Sequence, residues 1–147
     1  DRNKLWQARH DAYYAAIALR PGCQGWATDV CVPVSRLTEC INETKADLEG
    51  TNLLSPLVGH VGDGNFHLLY IVDPKNVEEM SEAQAHSDRM VMRALAMGGT
   101  CTGEHGVGYG KIHFLQEEHG DSISLMRSLK VSFDPENIMN PGKIISI

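Results

Sequence analysis

The spacing of apolar residues predicts one helix on each side of a first strand. Between residues 2 and 19, apolar side chains recur every three or four positions, which is typical of one face of a helix. The stripe consists of Leu5, Trp6, Ala8, Ala12, Tyr13, Ala16 and Ile17, with Arg9 among them. Residues 26–33 then predict a strand, and a second helix is predicted from Ser35, as its N-cap, to about Leu48.

A glycine-rich turn between two apolar runs carries a pair of histidines. Residues 59–67 read Gly-His-Val-Gly-Asp-Gly-Asn-Phe-His. The Asp63-Gly64 dipeptide favours a two-residue type I′ hairpin turn, which would place His60 directly opposite His67 on one face. Two imidazoles in that arrangement can chelate one cation. The alternative is a tight hairpin in which both histidines are ordinary hydrogen-bonded polar groups.

A long helix is predicted after the hairpin. Asp73 and Pro74 suit its N-cap and first helical position, and Gly98-Gly99 suits its end. Its inner positions would be Val77, Met80, Met90, Val91, Ala94 and Leu95. Because His86 lies among polar residues, we expect it to face solvent.

The last quarter of the chain completes the fold prediction. Residues 121–132 predict a further helix, and Asp134-Pro135 predicts a short helical turn near the end. Strands interrupted by helices, with a hairpin in the middle, are typical of an α+β fold. We expect an antiparallel sheet with helices on one face, in a ferredoxin-like unit, and a single domain over residues 1–147.

Composition narrows the class of protein. The formal net charge of −6 does not suit a nucleic-acid-binding surface, and no apolar stretch is long enough for a membrane span. The four cysteines have no Cys-x-x-Cys spacing, so free thiols in a reducing compartment are expected. The sequence begins at Asp1 without a targeting segment, and we expect it to be a piece of a longer protein.

A second glycine-rich stretch, residues 98–111, contains the pair Glu104-His105. Its spacing does not match a phosphate-binding P-loop. A carboxylate and an imidazole framed by glycines could supply a third metal ligand and a base, or could simply be solvated in a surface loop. In a regular strand the two side chains would face opposite sides, whereas an irregular turn would not separate them. His60, His67 and Glu104 together form a ligand set suited to a catalytic divalent metal.

Three motifs in this order resemble the C-terminal part of the FAD-linked D-2-hydroxy-acid dehydrogenases, within the vanillyl-alcohol-oxidase/PCMH flavoprotein superfamily. They are the stretch at residues 59–67, Gly-Glu-His-Gly-Val-Gly at 103–108, and Phe-Asp-Pro-Glu-Asn-Ile-Met-Asn-Pro-Gly-Lys at 133–143. The resemblance implies a C-terminal substrate- and metal-binding cap whose FAD-binding domain lies in an N-terminal part absent from this chain. It also implies mitochondrial location and cytochrome c as electron acceptor.

The resemblance assigns roles to five residues. His60, His67 and Glu104 would bind Zn²⁺ or Mn²⁺, and His105 would be the general base that removes the hydroxyl proton. Arg9 would bind the substrate carboxylate, which would explain a guanidinium in an apolar stripe that otherwise indicates a solvated or ion-paired arginine. The reaction implied is oxidation of a D-2-hydroxy acid, with hydride transfer to FAD.

The substrate is expected to be a monocarboxylic acid, with D-lactate, oxidised to pyruvate, first. Relatives that act on D-2-hydroxyglutarate carry a lysine just before the Tyr-Asp pair of this strand, whereas this chain has Ala27-Thr28-Asp29. A second substrate carboxylate would lack a partner there. Two alternatives remain open from the residues alone, a self-contained divalent-metal hydrolase and a metal-free α+β binding module.

Overall fold

The computed structural model describes all 147 residues, as five helices around a small antiparallel sheet. The helices are α1 (Arg2–Ala18), α2 (Leu37–Leu48), α3 (Val77–Ala96), α4 (Ile112–His119) and α5 (Ser122–Phe133), and the strands are β1 (Gln24–Ala27), β2 (Val30–Cys31), β3 (Leu57–His60) and β4 (Asn65–Val72). None of the helices combines the length and apolar character needed to cross a membrane. The predicted α+β class is confirmed.

Strand β4 is the centre of the sheet, and every other strand pairs with it antiparallel. β1 and β2 pair with it one after the other, through residues 69–72 and 65–66 respectively. β3 lies along the other edge, where Val58 is opposite His67 and His60 is opposite Asn65. The strand predicted at residues 26–33 is therefore divided into β1 and β2 by the pair Thr28-Asp29.

All eight residues of β4 are buried because helices cover both faces of the strand. Phe66, Leu68, Tyr70 and Val72 point into the main core, together with residues of α2, α3, α4 and α5. Leu69 and Ile71 point the other way and pack against Ala16 of α1. The prediction of helices on one face holds for α2–α5, whereas α1 lies on the opposite face.

The Asp63-Gly64 hairpin does not form the predicted type I′ turn. Residues 61–63 form a single 3₁₀ turn, and only Gly64 has a positive φ, of 77°. The Val32 N–H, from the segment that follows β2, donates to the Gly64 carbonyl at 3.0 Å and helps to hold this turn. The longer connection shifts the register by two residues, so His60 is not directly opposite His67.

Two predicted helix starts are also displaced. Ser35 lies in a 3₁₀ turn, Val34–Arg36, and α2 begins only at Leu37 without a side-chain cap. The helix predicted from Asp73 begins at Val77, where Asn76 Oδ1 accepts a hydrogen bond from the Glu79 N–H at 3.2 Å. Asp73 instead closes the turn before it, by accepting from the Lys75 N–H at 2.9 Å.

The expectation that His86 faces solvent is wrong. Its ring is fully buried between α2, α3 and β4, with Nδ1 2.5 Å from the Tyr70 hydroxyl and Nε2 3.3 Å from the Thr44 carbonyl. Burial lowers the pKa of His86, which keeps the ring neutral inside the core. Its partners come from distant parts of the chain, which explains why local polarity gave the wrong prediction.

The structure of residues 112–143 differs from the sequence prediction in two places. Helix α4 was not predicted, because it follows directly on the glycine-rich stretch. Asp134-Pro135 does not begin the predicted helical turn. It begins a non-helical turn, in which the Asp134 carboxylate accepts from the N–H groups of Ile138 and Met139. All four cysteines are free, as expected.

Candidate functional site

The orientation of His67 is fixed by strand alternation and by one hydrogen bond. Its position in β4 places the ring on the face that carries Leu69 and Ile71, beneath α1. Its Nδ1 lies 2.8 Å from the Thr28 carbonyl oxygen, which can only accept. Nδ1 therefore carries the proton, and the lone pair of the neutral ring is on Nε2. A backbone carbonyl in this position is a common partner of metal-binding histidines.

The break between β1 and β2 makes the Thr28 carbonyl available. Thr28 Oγ1 accepts from the Leu68 N–H at 2.8 Å and so takes the place of a backbone acceptor in the sheet. The same hydroxyl lies 3.1 Å from the Leu68 carbonyl oxygen, to which it donates. The Thr28 carbonyl is thus released from strand pairing and reaches His67.

His60, His67 and Glu104 converge on one point. Glu104 Oε1 lies 3.1 Å from His67 Nε2 and 3.3 Å from His60 Nε2. Although the predicted register is wrong, His60 is a diagonal neighbour of His67 across the strand pair, and their ring centroids are 6.0 Å apart. The structure therefore brings the three predicted ligands together.

These three residues fit a divalent cation. The unprotonated Nε2 of His67 and an ionised carboxylate both present lone pairs, so their close approach is favourable only with a proton or a metal ion between them. Ligand atoms around a tetrahedral Zn²⁺ with bonds of about 2.1 Å lie about 3.4 Å apart, and the separations here are close to that value.

A second group of residues, Asp29, His67 and His105, also brings its polar atoms within 4.8 Å of one another. It does not suit a metal because the Asp29 carboxylate is already occupied. Its Oδ2 accepts from the N–H groups of Gly103, Glu104 and His105 at 2.8–3.0 Å, and from Thr102 Oγ1 at 3.0 Å. Its Oδ1 accepts from Asn65 Nδ2 at 2.8 Å.

Asp29 is fully buried, and the surroundings keep it ionised. Burial by itself would raise the pKa of this carboxyl, but the hydrogen bonds of the His105 N–H and the Asn65 amide, with the charge of Lys111, lower it to about 2. Sequence reasoning assigned no role to Asp29. The one signal that could have found it was an acidic residue inside a predicted strand, which is unfavourable without polar partners.

Glu104 and His105 lie on the same side of the glycine-rich loop. The loop is irregular, and His105 Nε2 lies 3.8 Å from Glu104 Oε1. The rings of His105 and His67 are 5.2 Å apart. The strand-like arrangement, in which the two side chains face opposite sides, is therefore not formed, and the imidazole of His105 lies beside the ligand cluster.

Arg9 reaches the cluster from α1. Its Nη2 lies 3.3 Å from His60 Nδ1, and its guanidinium lies 5.4 Å from the ring centroid of Trp6. Arg9, His105 and the three residues of the ligand cluster line one open cavity of about 590 Å³. Its other lining residues are mainly apolar, namely Ala12, Tyr13, Ala16, Ala27, Pro56, Val58, Gly59 and Leu69, with His10. Arg9 is the only arginine or lysine among the lining residues.

The fold and the cluster together define a class, an α+β domain that presents a His₂Glu ligand set, a further histidine and one arginine to an open cavity. Comparison with known protein families identifies the family to which the domain belongs. The model of the family "FAD linked oxidases, C-terminal domain" matches residues 1–144. The chain belongs to this family.

The relatives of the chain carry related names. It is 56% identical over 147 residues to the probable mitochondrial D-lactate dehydrogenase of Danio rerio, and 44% identical over 149 residues to a mitochondrial D-lactate dehydrogenase (cytochrome) of Saccharomyces cerevisiae. It is 34% identical over 146 residues to a glycolate oxidase subunit of Bacillus subtilis. These matches cover 97–99% of this chain but only 25–30% of each relative. The chain thus spans less than a third of the proteins it matches.

Proposed function

We propose that this chain is the substrate- and metal-binding cap of a mitochondrial FAD-dependent D-lactate dehydrogenase that passes electrons to cytochrome c. The family name and the names of the two mitochondrial relatives support the flavin, the substrate, the acceptor and the location. The share of the relatives that the chain covers supports an FAD-binding domain in the remainder of the protein. The observation that carries the metal assignment is the single Glu104 oxygen within 3.3 Å of two histidine nitrogens.

Five residues of the cavity have roles in this reaction. His60, His67 and Glu104 hold a divalent cation, Zn²⁺ or Mn²⁺, which supplies Lewis-acid polarisation of the substrate oxygens when bound. His105, next to the ligands, accepts the proton of the 2-hydroxyl group. Arg9 binds the carboxylate with its planar guanidinium and orients the substrate. A flavin bound by the remainder of the protein would supply the hydride acceptor.

The metal assignment predicts a ligand-dependent metal content. The full-length protein, dialysed against Zn²⁺ or Mn²⁺, is expected to hold about one ion per chain at this site. His60→Ala, His67→Ala and Glu104→Ala should each weaken binding at least tenfold, because each removes one of three ligands. The measurement is elemental analysis combined with titration calorimetry of the metal alone.

His113→Ala is the matched control for the metal count, because His113 is exposed on α4, outside the cavity lining. It should retain the ion. Full metal content in the His67→Ala variant would contradict the assignment, as would the absence of any ion from the wild-type full-length protein.

The cavity also predicts discrimination against dicarboxylic substrates. The wall beyond Arg9 is largely apolar and includes Ala27, the position at which the resemblance given under Sequence analysis places a lysine in enzymes that act on D-2-hydroxyglutarate. An unpaired buried carboxylate costs at least about 3 kcal/mol, which corresponds to about 100-fold. We therefore expect kcat/KM of the full-length enzyme for D-lactate to exceed that for D-2-hydroxyglutarate by about that factor.

Ala27→Lys tests the reason for this discrimination. A lysine at this position would supply a partner for the second carboxylate, so activity towards D-2-hydroxyglutarate should rise relative to D-lactate. Comparable kcat/KM values for the two acids in the wild-type enzyme would contradict the assignment of a monocarboxylic substrate.

A further inference from the structure

Glu104 and His105 are held by their backbone rather than by packing of their side chains. The two side chains are 53% and 54% exposed, so their surroundings restrict them little. Their N–H groups, in contrast, both donate to Asp29 Oδ2, at 3.0 and 2.9 Å. The Gly103 N–H donates to the same oxygen at 2.8 Å. Three successive N–H groups directed at one oxygen atom fix the path of the loop.

Asp29 is itself held in place from the other side. Asn65 Nδ2 donates to Oδ1, and the Lys111 ammonium donates to the Asp29 carbonyl oxygen at 2.8 Å. The carboxylate is also tightly enclosed, because a Cβ atom on Gly103 would lie 2.7 Å from Asp29 Oδ1. The carboxylate therefore has little room to move, and its position fixes that of the loop.

The neighbouring residue Thr28 positions the opposite side of the cluster. Its carbonyl oxygen accepts from His67 Nδ1, as described above. At the break between β1 and β2, Thr28 thus contacts His67, a candidate metal ligand on β4. Asp29, the next residue, contacts the backbone of Glu104, a second candidate ligand, and of His105, the proposed base. Asp29 lies more than 70 residues from Glu104 and His105 along the chain, and its carboxylate joins the sheet to the loop.

We propose that Asp29 is a positioning residue, which sets the places of Glu104 and His105 relative to His67 by accepting the three loop N–H groups. This inference rests on the proposed function for the roles of Glu104 and His105. Asp29 does not line the cavity, and its carboxylate is occupied by these donors, so we assign it an effect through the loop backbone.

Asp29→Asn is the direct test of this role. The amide of asparagine has one oxygen and one NH₂ group, so its nitrogen must face either Asn65 Nδ2 or the three backbone N–H groups. Both of these are donors, so the donors on one side of residue 29 lose their hydrogen-bond acceptor. The loop should open locally, and metal affinity should fall by about 10- to 100-fold, as is usual for residues that orient ligands.

The measurement is amide hydrogen exchange of the full-length flavoprotein, with and without Zn²⁺. In the Asp29→Asn variant, exchange in a peptide spanning residues 101–106 should be at least tenfold faster than in the wild type. Asp47→Asn is the matched control, because Asp47 is a partly buried carboxylate of α2 that is bound by Arg89 and Arg93 on α3, away from this loop. It should reduce stability without accelerating exchange in this peptide.

A milder variant covers the case in which Asp29→Asn does not fold. Thr102→Val removes one hydroxyl donor to Asp29 Oδ2 and leaves the carboxylate in place. It should accelerate exchange at the same amides by a smaller factor. Unchanged exchange in Asp29→Asn, or in Thr102→Val if the former does not fold, would overturn the proposal, as would equal acceleration by Asp47→Asn.

The exchange measurement separates this inference from the proposed function. If the wild-type protein binds no Zn²⁺ but Asp29→Asn still loosens residues 101–106, the metal assignment fails and the positioning role is supported. If the wild type binds Zn²⁺ and Asp29→Asn changes neither exchange nor affinity, the positioning role fails alone.

Discussion

Replacing His105 with glutamine is expected to lower kcat for D-lactate oxidation by the full-length enzyme by about 10²- to 10⁴-fold, which is the usual contribution of a general base. The side chain of His105 is half exposed and lies beside the ligand cluster, so a glutamine can occupy its place without disturbing the core. Glutamine retains hydrogen bonding but cannot take up the hydroxyl proton. KM and metal content should change little.

The measurement is steady-state and single-turnover flavin reduction, with elemental analysis of the same samples. His113→Gln is the control, because it changes an exposed histidine on α4 and should leave kcat within a factor of two. A loss smaller than tenfold in His105→Gln would remove the role of base from this residue. Loss of the metal in the same variant would instead assign His105 to the ligands.

Adding one methyl group at Gly103 is expected to disrupt the cluster. A Cβ atom there would overlap the side-chain nitrogen of Asn65 and approach the carboxylate of Asp29. Both neighbours are buried and are hydrogen-bonded to each other, so neither can move without breaking hydrogen bonds. Gly103→Ala should therefore weaken Zn²⁺ binding at least tenfold and reduce kcat/KM by at least the same factor.

Gly110→Ala is the matched control, because Gly110 lies in the same glycine-rich stretch and does not have a positive φ. A methyl group at this position would meet no heavy atom within 4 Å. Titration calorimetry with Zn²⁺ and flavin reduction by D-lactate should give wild-type values for this variant. Wild-type affinity in Gly103→Ala would show that the loop can be displaced without cost, and would contradict a tightly enclosed Gly103.

The ligand set could be predicted from the sequence more reliably than its geometry. His60, His67 and Glu104 were selected by residue type and by their glycine-rich surroundings, and they do meet. The sequence predicts that a two-residue turn brings the two histidines together. In the structure the turn is longer, and His60 and His67 meet as diagonal neighbours. The Asp63-Gly64 signal is local, whereas the Gly64 carbonyl accepts a hydrogen bond from the Val32 N–H, in the segment that follows β2.

Residues whose partners lie far along the chain could not be predicted from local pattern. His86 has polar neighbours in sequence, yet its ring contacts Tyr70 and Thr44 inside the core. Asp29 follows a threonine at the break between two short strands, and its donors come from residues 102–105 and from Asn65. In both cases the three-dimensional fold supplies the hydrogen bonds that make burial of a polar group acceptable.

The cavity joins a rigid wall to a weakly anchored one. Strand β4, which carries His67, is buried along its whole length, whereas α1, which carries Arg9, contributes only Ala16 to the buried interior. Elements with few buried contacts open locally at a smaller free-energy cost than the core. The part of the cavity that carries His67 is therefore preorganised, whereas Arg9 shifts more easily with its helix, which under the proposed function would let the site accept carboxylates of different size.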